Sequence, residues 1–410
     1  MTMVPRLTRR AFSSLAIGSL LGCDDAKPIA LPPPDASSRS SDPLPLPSAT
    51  PTPVPPAYVL PLFRACPGLA ARISRLPLGV FPTPTERAAK LGERIGIPNL
   101  WIKRDDISGK AYGGGKTRKL EFYLAEARAK GAREIVTFGG YGSNQAVATA
   151  LWGKASGFPV RLMLAPQMPS AYVEKNLFAM RHAGATIEVV RDGVGAAEVR
   201  AKKALQRAKG AGLYLIPPGG SSPLGNLAFI NAAMELGDQV RSGACPMPDC
   251  IYLAMGTMGS AVGIAIGLEL VGLDVEVVAV RASSPQTSSE ARFFAMAKET
   301  IAFARALDPA FPDVRLPRTR IRFVTNQLGG GYGFSTRPGA SAMKLVEETE
   351  GYSLEPTYTA KAMAALVGDA KRLANKTVLF WNSHNTQPLV TEGVRLDDFP
   401  RELREYLRKG

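Results

Sequence analysis

Three glycines, Gly113 to Gly115, stand directly before Lys116 in RDDISGKAYGGGKTRKLEF, and a helical pattern begins at that lysine. Glycine permits positive φ and leaves room for a flat ligand to approach the backbone. A lysine so placed suits an ion pair with a bound phosphate, or an ordinary position on a helix surface. The nucleotide-binding P-loop is excluded by spacing, because its first glycine would fall at position 110, which is lysine. A second segment, EIVTFGGYGSNQAVATALWGKASG, runs from a strand through Gly139 and Gly140 to Ser143, Asn144 and Gln145, and then into a helix. The free N–H groups and positive dipole of a helix start suit an anion such as a carboxylate, and the alternative is plain capping by Ser143. In a third segment, IYLAMGTMGSAVGIAIGLELVG, Gly256, Thr257, Met258, Gly259 and Ser260 separate a buried strand from a small-residue helix. By composition this is a phosphate cradle. A dinucleotide loop is disfavoured, because the next strand ends at Arg281 where an acidic ribose anchor belongs.

In order and spacing, RDD…GGGKTRKLE, GG…SNQ, PPGGSSPLGN, GTMGSAVG, GGGYG and LEPTYTAKAMAAL resemble the D-cysteine desulfhydrase and 1-aminocyclopropane-1-carboxylate deaminase family, over roughly Leu76 to Leu389. These are fold-type-II pyridoxal-phosphate enzymes. The resemblance implies an α/β, tryptophan synthase beta-like fold of two domains, each a parallel sheet flanked by helices, with pyridoxal 5′-phosphate between them. It implies that Lys116 carries the cofactor as a Schiff base and becomes a base when an amino acid displaces it. For this the lysine needs a lowered pKa, and Arg118 and Lys119 are candidates for the neighbouring charge. By the same resemblance Asn144 bonds the cofactor's 3′ oxygen, and Ser143 and Gln145 hold the substrate carboxylate. Gly256, Thr257, Met258, Gly259 and Ser260 hold the phosphate, Tyr332 shapes the substrate pocket and moves protons, and Ser383 faces the pyridine nitrogen. The implied substrate is a small amino acid, with D-cysteine going to pyruvate, ammonia and sulfide. Deamination of 1-aminocyclopropane-1-carboxylate is the alternative, and a non-catalytic binding lipoprotein is a reading of another class.

The sequence departs from the family pattern in three places. His384 and Asn385 follow Ser383 where two glycines belong, Arg337 stands where an acidic residue is usual after GGGYG, and Tyr141 and Gly142 replace an aliphatic residue and glutamine.

These residues need a scaffold, and the chain alternates short apolar β-type runs with helical patterns, which argues for parallel sheets covered by helices. The runs are REIVTFGG, VRLMLA, ATIEVV, CIYLAMG, VEVVAV and KTVLFWNS, and the helix that starts at Lys116 stops at Gly131. No spacer divides the body, so the domains nest: a smaller one at about 119–222, and a larger one from 58–118 with 223–410.

The first residues read differently. Arg9 and Arg10 precede an apolar run ending in Leu20, Leu21, Gly22 and Cys23, too short to cross a bilayer. Residues 1–22 are expected to be a lipoprotein- or Tat-like signal with lipidation at Cys23, and the Pro/Ser-rich 23–57 a disordered tether. The expected product is an exported, membrane-anchored lipoprotein, and the family resemblance suggests a homodimer. The net charge of +15 is scattered among acidic residues on helical segments, which are solvated faces and not a nucleic-acid surface. No metal is expected, since CPMPDC has the wrong spacing and His182 and His384 lie far away. Cys245 and Cys250 form a local disulfide or remain thiols.

Overall fold

The computed structural model describes residues 58–207 and 212–408. The expected signal segment, Cys23 and the tether lie outside the described residues, which all fall in one compact unit, Pro56–Gly410. Its strands are β1 (Thr85–Arg87), β2 (Leu100–Arg104), β3 (Glu134–Gly140), β4 (Val160–Ala165), β5 (Thr186–Val189), β6 (Leu213–Ile216), β7 (Cys250–Met255), β8 (Glu276–Arg281), β9 (Ile321–Val324) and β10 (Val378–Asn382). They form a six-stranded sheet in the order β1-β2-β10-β7-β8-β9 and a four-stranded sheet in the order β5-β4-β3-β6. Pairing is parallel throughout except between β1 and β2. This is the α/β architecture expected from the alternation. Six strands coincide with the apolar runs, while β1, β2, β6 and β9 escape sequence reading because they are short or carry Lys and Arg.

The helices that carry the site are α1 (Gly115–Ala129), α2 (Asn144–Ala155), α3 (Ala171–His182), α4 (Pro223–Arg241), α5 (Gly259–Leu270) and α6 (Thr359–Gly368). Gly131, at φ +63°, ends the turn after α1 as the sequence predicts. Cys245 and Cys250 are free, buried thiols, so of the two alternatives the structure holds the thiols.

A buried ionic cluster ties four of these segments together. Arg118 of α1 donates to Asp105 at 2.7 and 2.9 Å and to Glu235 of α4 at 2.9 and 3.0 Å. Lys103 of β2 donates to Glu235 at 2.6 Å, and the Trp381 indole of β10 to Asp105 at 2.8 Å. Burial alone would raise the Glu235 carboxyl, but Arg118 and Lys103 hold it down to about 2. Two cations facing two carboxylates satisfy one another where water cannot reach, and the cluster thereby fixes α1 against β2, β10 and α4.

Candidate active site

In parallel sheets, ligands gather beyond the carboxyl ends of the strands. Here β2 leads to the Gly113–Gly115 loop, β3 to Gly139–Asn144, β6 to Pro217–Ser221, β7 to Gly256–Ser260, and β10 to Ser383–Asn385. Both sheets contribute, and their loops meet around Lys116.

The loop before Lys116 is pinned at each glycine. Gly113 N–H donates to Asn385 Oδ1 at 2.6 Å, Gly114 N–H to the Asp105 carbonyl at 2.7 Å and Gly115 N–H to the Ser383 carbonyl at 3.1 Å. Gly114 has φ +79°, and a Cβ there would stand 2.6 Å from the Ser383 oxygen. Only glycine fits that approach. Asn385, a departure from the family pattern, is thus a brace for the lysine loop. The Ser383 side chain has no hydrogen-bond partner among the described residues, so its hydroxyl is free for a ligand.

Lys116 is half-buried and donates from Nζ to the Gly219 carbonyl at 3.2 Å. Desolvation pushes its ammonium from 10.5 down to about 8, against the pull of the Glu355 charge. One turn along α1, Lys119 is buried and donates to the same carbonyl at 3.1 Å and to Ser221 Oγ at 3.3 Å. Burial first, and Lys116 second, drive the Lys119 ammonium well below its ordinary value. Ser221 Oγ lies 2.7 Å from Thr257 Oγ1. A Cβ on Gly259 would stand 2.3 Å from Asn226 Oδ1, 2.6 Å from Ser221 Oγ and 3.0 Å from Lys119 Nζ. The start of α5 is therefore pressed against those polar groups. Two desolvated amines sharing one carbonyl, with no carboxylate in ion-pairing reach among the described residues, form a cradle short of negative charge. Hydroxyls and helix-start N–H groups complete it, which fits a phosphate dianion beside a reactive amine.

Arg118 does not supply the neighbouring charge expected of it. Two positions on from Lys116, it leaves the helix on another face and is consumed by Asp105 and Glu235. Lys119 sits in the cradle instead, and its spacing of three from Lys116 on a helix was the available signal. Ser221 lies inside PPGGSSPLGN, but no spacing marks it.

Ser143 caps α2, its Oγ accepting from Ala146 N–H at 3.3 Å, which leaves its own proton free. Asn144 accepts at Oδ1 from Tyr172 and, at 3.3 Å, from Tyr112. The Gln145 side chain differs from expectation. Its Nε2 donates to Thr149 Oγ1 at 3.0 Å, and Oε1 is buried without a partner near Gly220, so its donor is not turned toward a carboxylate.

On the other side of the Gly256–Ser260 loop, a Cβ on Gly256 would lie 2.7 Å from the Tyr358 ring. Tyr358 donates its hydroxyl to that of Tyr332 at 3.0 Å, with the rings edge to face at 6.0 Å. Glu355 holds this turn by accepting from the N–H groups of Thr357, Tyr358 and Thr359 at 2.8, 2.6 and 2.8 Å. Burial raises the Tyr332 phenol, while the proton offered by Tyr358 lowers it. Burial raises the Tyr358 phenol as well, and the Tyr332 charge and then the same bond raise it further. Tyr332 is therefore the more acidic member of the pair.

Of the remaining departures, Arg337 and Tyr141 lie apart from these groups, and His384 lies beside Tyr172. Arg337 is exposed at the start of the helix Arg337–Glu350. Tyr141 is buried edge-on to Tyr406, 4.8 Å between centroids, as an anchor for the helix Arg401–Leu407. His384 is half-buried, its ring 6.2 Å from that of Tyr172, and its Nδ1 is enclosed without a partner. Desolvation, with the Lys175 charge second, pushes its imidazolium down to about 3, so the ring is neutral.

The model of the family described as pyridoxal-phosphate dependent enzyme matches residues 76–383. The chain belongs to this family. Pyridoxal phosphate is the cofactor of this family, and the cradle beside Lys116 fits its phosphate, with Lys116, Lys119, Ser221, Thr257 and the start of α5 as the groups on hand. Among curated relatives, this pyridoxal-phosphate dependent enzyme is 34% identical over 339 residues to nocardicin C-9′ epimerase of Nocardia uniformis subsp. tsuyamanensis, covering 82% of this chain and 99% of that protein. It is 32% identical over 302 residues to D-cysteine desulfhydrase of Salmonella paratyphi B, covering 72% and 88%. Among solved structures it is similar to an ACC deaminase homologue, with TM-score 0.66, 28% identity, and coverage of 80% of this chain and 95% of that one.

Proposed function

We propose that this enzyme is a lyase acting on a small amino acid, with D-cysteine and water converted to pyruvate, ammonia and sulfide. The observations that carry the reading are a half-buried amine of lowered pKa, Lys116, and the hydrogen-bonded phenols Tyr332 and Tyr358, whose rings lie against Gly140 and Gly256 of the strand-end loops. Pyridoxal phosphate, when bound, supplies the electron withdrawal that weakens the bonds at the substrate's Cα. The α2 start, with the free proton of Ser143, receives the substrate carboxylate. The Lys116 amine, set free when the amino acid takes its place, accepts the Cα proton, since desolvation favours its neutral form. Tyr332 gives its proton to the departing β-sulfur, and the hydroxyl of Tyr358 stabilises the oxygen left behind. The released three-carbon enamine reacts with water to give pyruvate and ammonia.

Two other outcomes stay within reach of these groups. The same acid and base open 1-aminocyclopropane-1-carboxylate, which with water gives 2-oxobutanoate and ammonia. Epimerisation is favoured by the 34% relative: Lys116 removes the Cα proton and Tyr332 returns one to the opposite face, without ammonia release. Incubation with D-cysteine, L-cysteine, D-serine and 1-aminocyclopropane-1-carboxylate, read by 2-oxo acid and by chiral analysis, separates the three. No 2-oxo acid from any of them removes the lyase reading. Inversion of the added amino acid in its place supports the epimerase, and neither product supports a binding protein.

We propose also that the protein is a homodimer exported as a membrane-tethered lipoprotein through Cys23. Cys23→Ala is expected to move it from the membrane to the soluble fraction, and unchanged fractionation counts against the anchor. Light scattering of the purified chain tests the dimer.

A further inference from the structure

Asn144 opens α2 with its side-chain amide held from two directions. Its Oδ1 accepts the hydroxyl proton of Tyr172, which lies on α3, and that of Tyr112, 3.3 Å away in the loop leading into Gly113–Gly115. Tyr112 comes from the connection between β2 and β3, and Tyr172 from that between β4 and β5. Tyr112 is buried and Tyr172 half-buried. Asn176, one turn along α3, donates from Nδ2 to the Gly142 carbonyl at 3.0 Å. A phenol has a single proton to give. Tyr172 gives that proton to Asn144 Oδ1.

An amide carries one acceptor oxygen and one NH2 group, so an oxygen occupied by two phenol protons turns the NH2 the other way. Among the described residues Asn144 Nδ2 has no hydrogen-bond partner, yet it is not one of the enclosed unpartnered atoms. The NH2 therefore meets open space. Nothing else in the site uses Tyr112 or Tyr172, whose hydroxyls would be a liability in a buried place without this acceptor.

We infer that Tyr112 and Tyr172 are positioning residues that lock the Asn144 amide with its NH2 toward the 3′ oxygen of the cofactor. The inference rests on Asn144 facing that oxygen. A donor there stabilises the anionic oxygen and lowers the proton affinity of the nitrogen that joins the cofactor to Lys116. Without the phenols the amide is free to turn and present its oxygen to the same atom, which raises that proton affinity.

The test is a pH titration of the near-visible absorption band of the holoenzyme in Tyr112→Phe, Tyr172→Phe, the double variant and Asn144→Ala, and in each tyrosine change combined with Asn144→Ala. The midpoint is expected to rise by on the order of one pH unit in the double variant, and by less in each single one. Asn144→Ala should raise it comparably, and the tyrosine changes should add nothing in that background. An unmoved midpoint in the double variant, with Asn144→Ala shifted, overturns the positioning role alone. Tyrosine shifts that persist in full without Asn144 overturn it as well. An unmoved midpoint in Asn144→Ala overturns both this inference and the reading that Asn144 faces the cofactor. Tyr172→Phe keeps the ring beside His384. If it fails to fold, Tyr112→Phe with and without Asn144→Ala separates the same outcomes.

Discussion

Lys116 and Lys119 donate to one and the same backbone carbonyl, that of Gly219, at 3.2 and 3.1 Å. A carbonyl offers two lone pairs but no charge, so two desolvated amines gathered on it remain short of an anion. The division of labour follows from position: Lys116 is half-buried at the start of α1, and Lys119 is buried one turn deeper beside Ser221 and the start of α5.

Lys119→Met is expected to weaken pyridoxal-phosphate affinity by roughly ten- to hundred-fold, the loss of a hydrogen bond to a charged group at about 1.5–3 kcal/mol. Titration of cofactor-free protein measures this. Lys116→Ala should instead abolish the near-visible band, and a retained band would contradict the covalent assignment.

The pH dependence of cofactor capture should report the Lys116 amine. Its value is lowered from 10.5 to about 8, so the neutral, nucleophilic fraction grows as pH rises and is nearly complete above that point. The rate at which cofactor-free protein regains the band should climb about ten-fold per pH unit below 8 and level off above it. A rate still climbing at pH 10 would mean an unperturbed lysine.

Tyr332→Phe should lower kcat by about 10²–10⁴ with little change in KM, the usual scale for a lost proton donor. Tyr358→Phe removes only the bond between the hydroxyls, worth about 1 kcal/mol, and should cost about five-fold. Equal losses in steady-state assays would make the two phenols interchangeable. Burial raises the Tyr332 phenol above its ordinary 10, so Tyr332 stays protonated through neutral pH and contributes no fall in activity below pH 10.

Arg118→Met should destabilise the fold by about 3–5 kcal/mol in denaturant unfolding, because Asp105 and Glu235 would keep only Lys103 between them. The sign with acid follows from Glu235, whose carboxyl is held at about 2 against an ordinary 4.5. Its contribution is present above about pH 4.5 and is lost as pH falls toward 2.

His384→Gly is expected to leave the near-visible band in place and raise KM for D-cysteine several-fold, with kcat moved less. The neutral ring lies beside Tyr172, whose hydroxyl reaches Asn144 at the start of α2. Loss of cofactor binding in step with kcat would put the imidazole on the cofactor instead.

The sequence by itself determined the alternation of strands and helices, the place of Lys116 behind three glycines, and the glycine-bearing loops at three strand ends. Those features are local: strand periodicity, helix starts and glycine's backbone freedom are written into neighbouring residues. Lys119 was half legible, since its spacing from Lys116 was visible but its surroundings were not. Which charged residue of KTRK enters the site, and which is spent on Asp105 and Glu235, depends on the helix face that meets α4 and on a partner more than a hundred residues away. Tyr172 and Tyr112 gave no signal, because a tyrosine in a helix or loop is unmarked until another segment brings an acceptor to it. In the sequence Asn385 is only a departure from the family pattern beside Ser383. Only its approach to Gly113, 272 positions apart in the chain, makes it a brace, since a hydrogen bond at 2.6 Å is decided by how β10 lies beside β2 and not by the residues next to it.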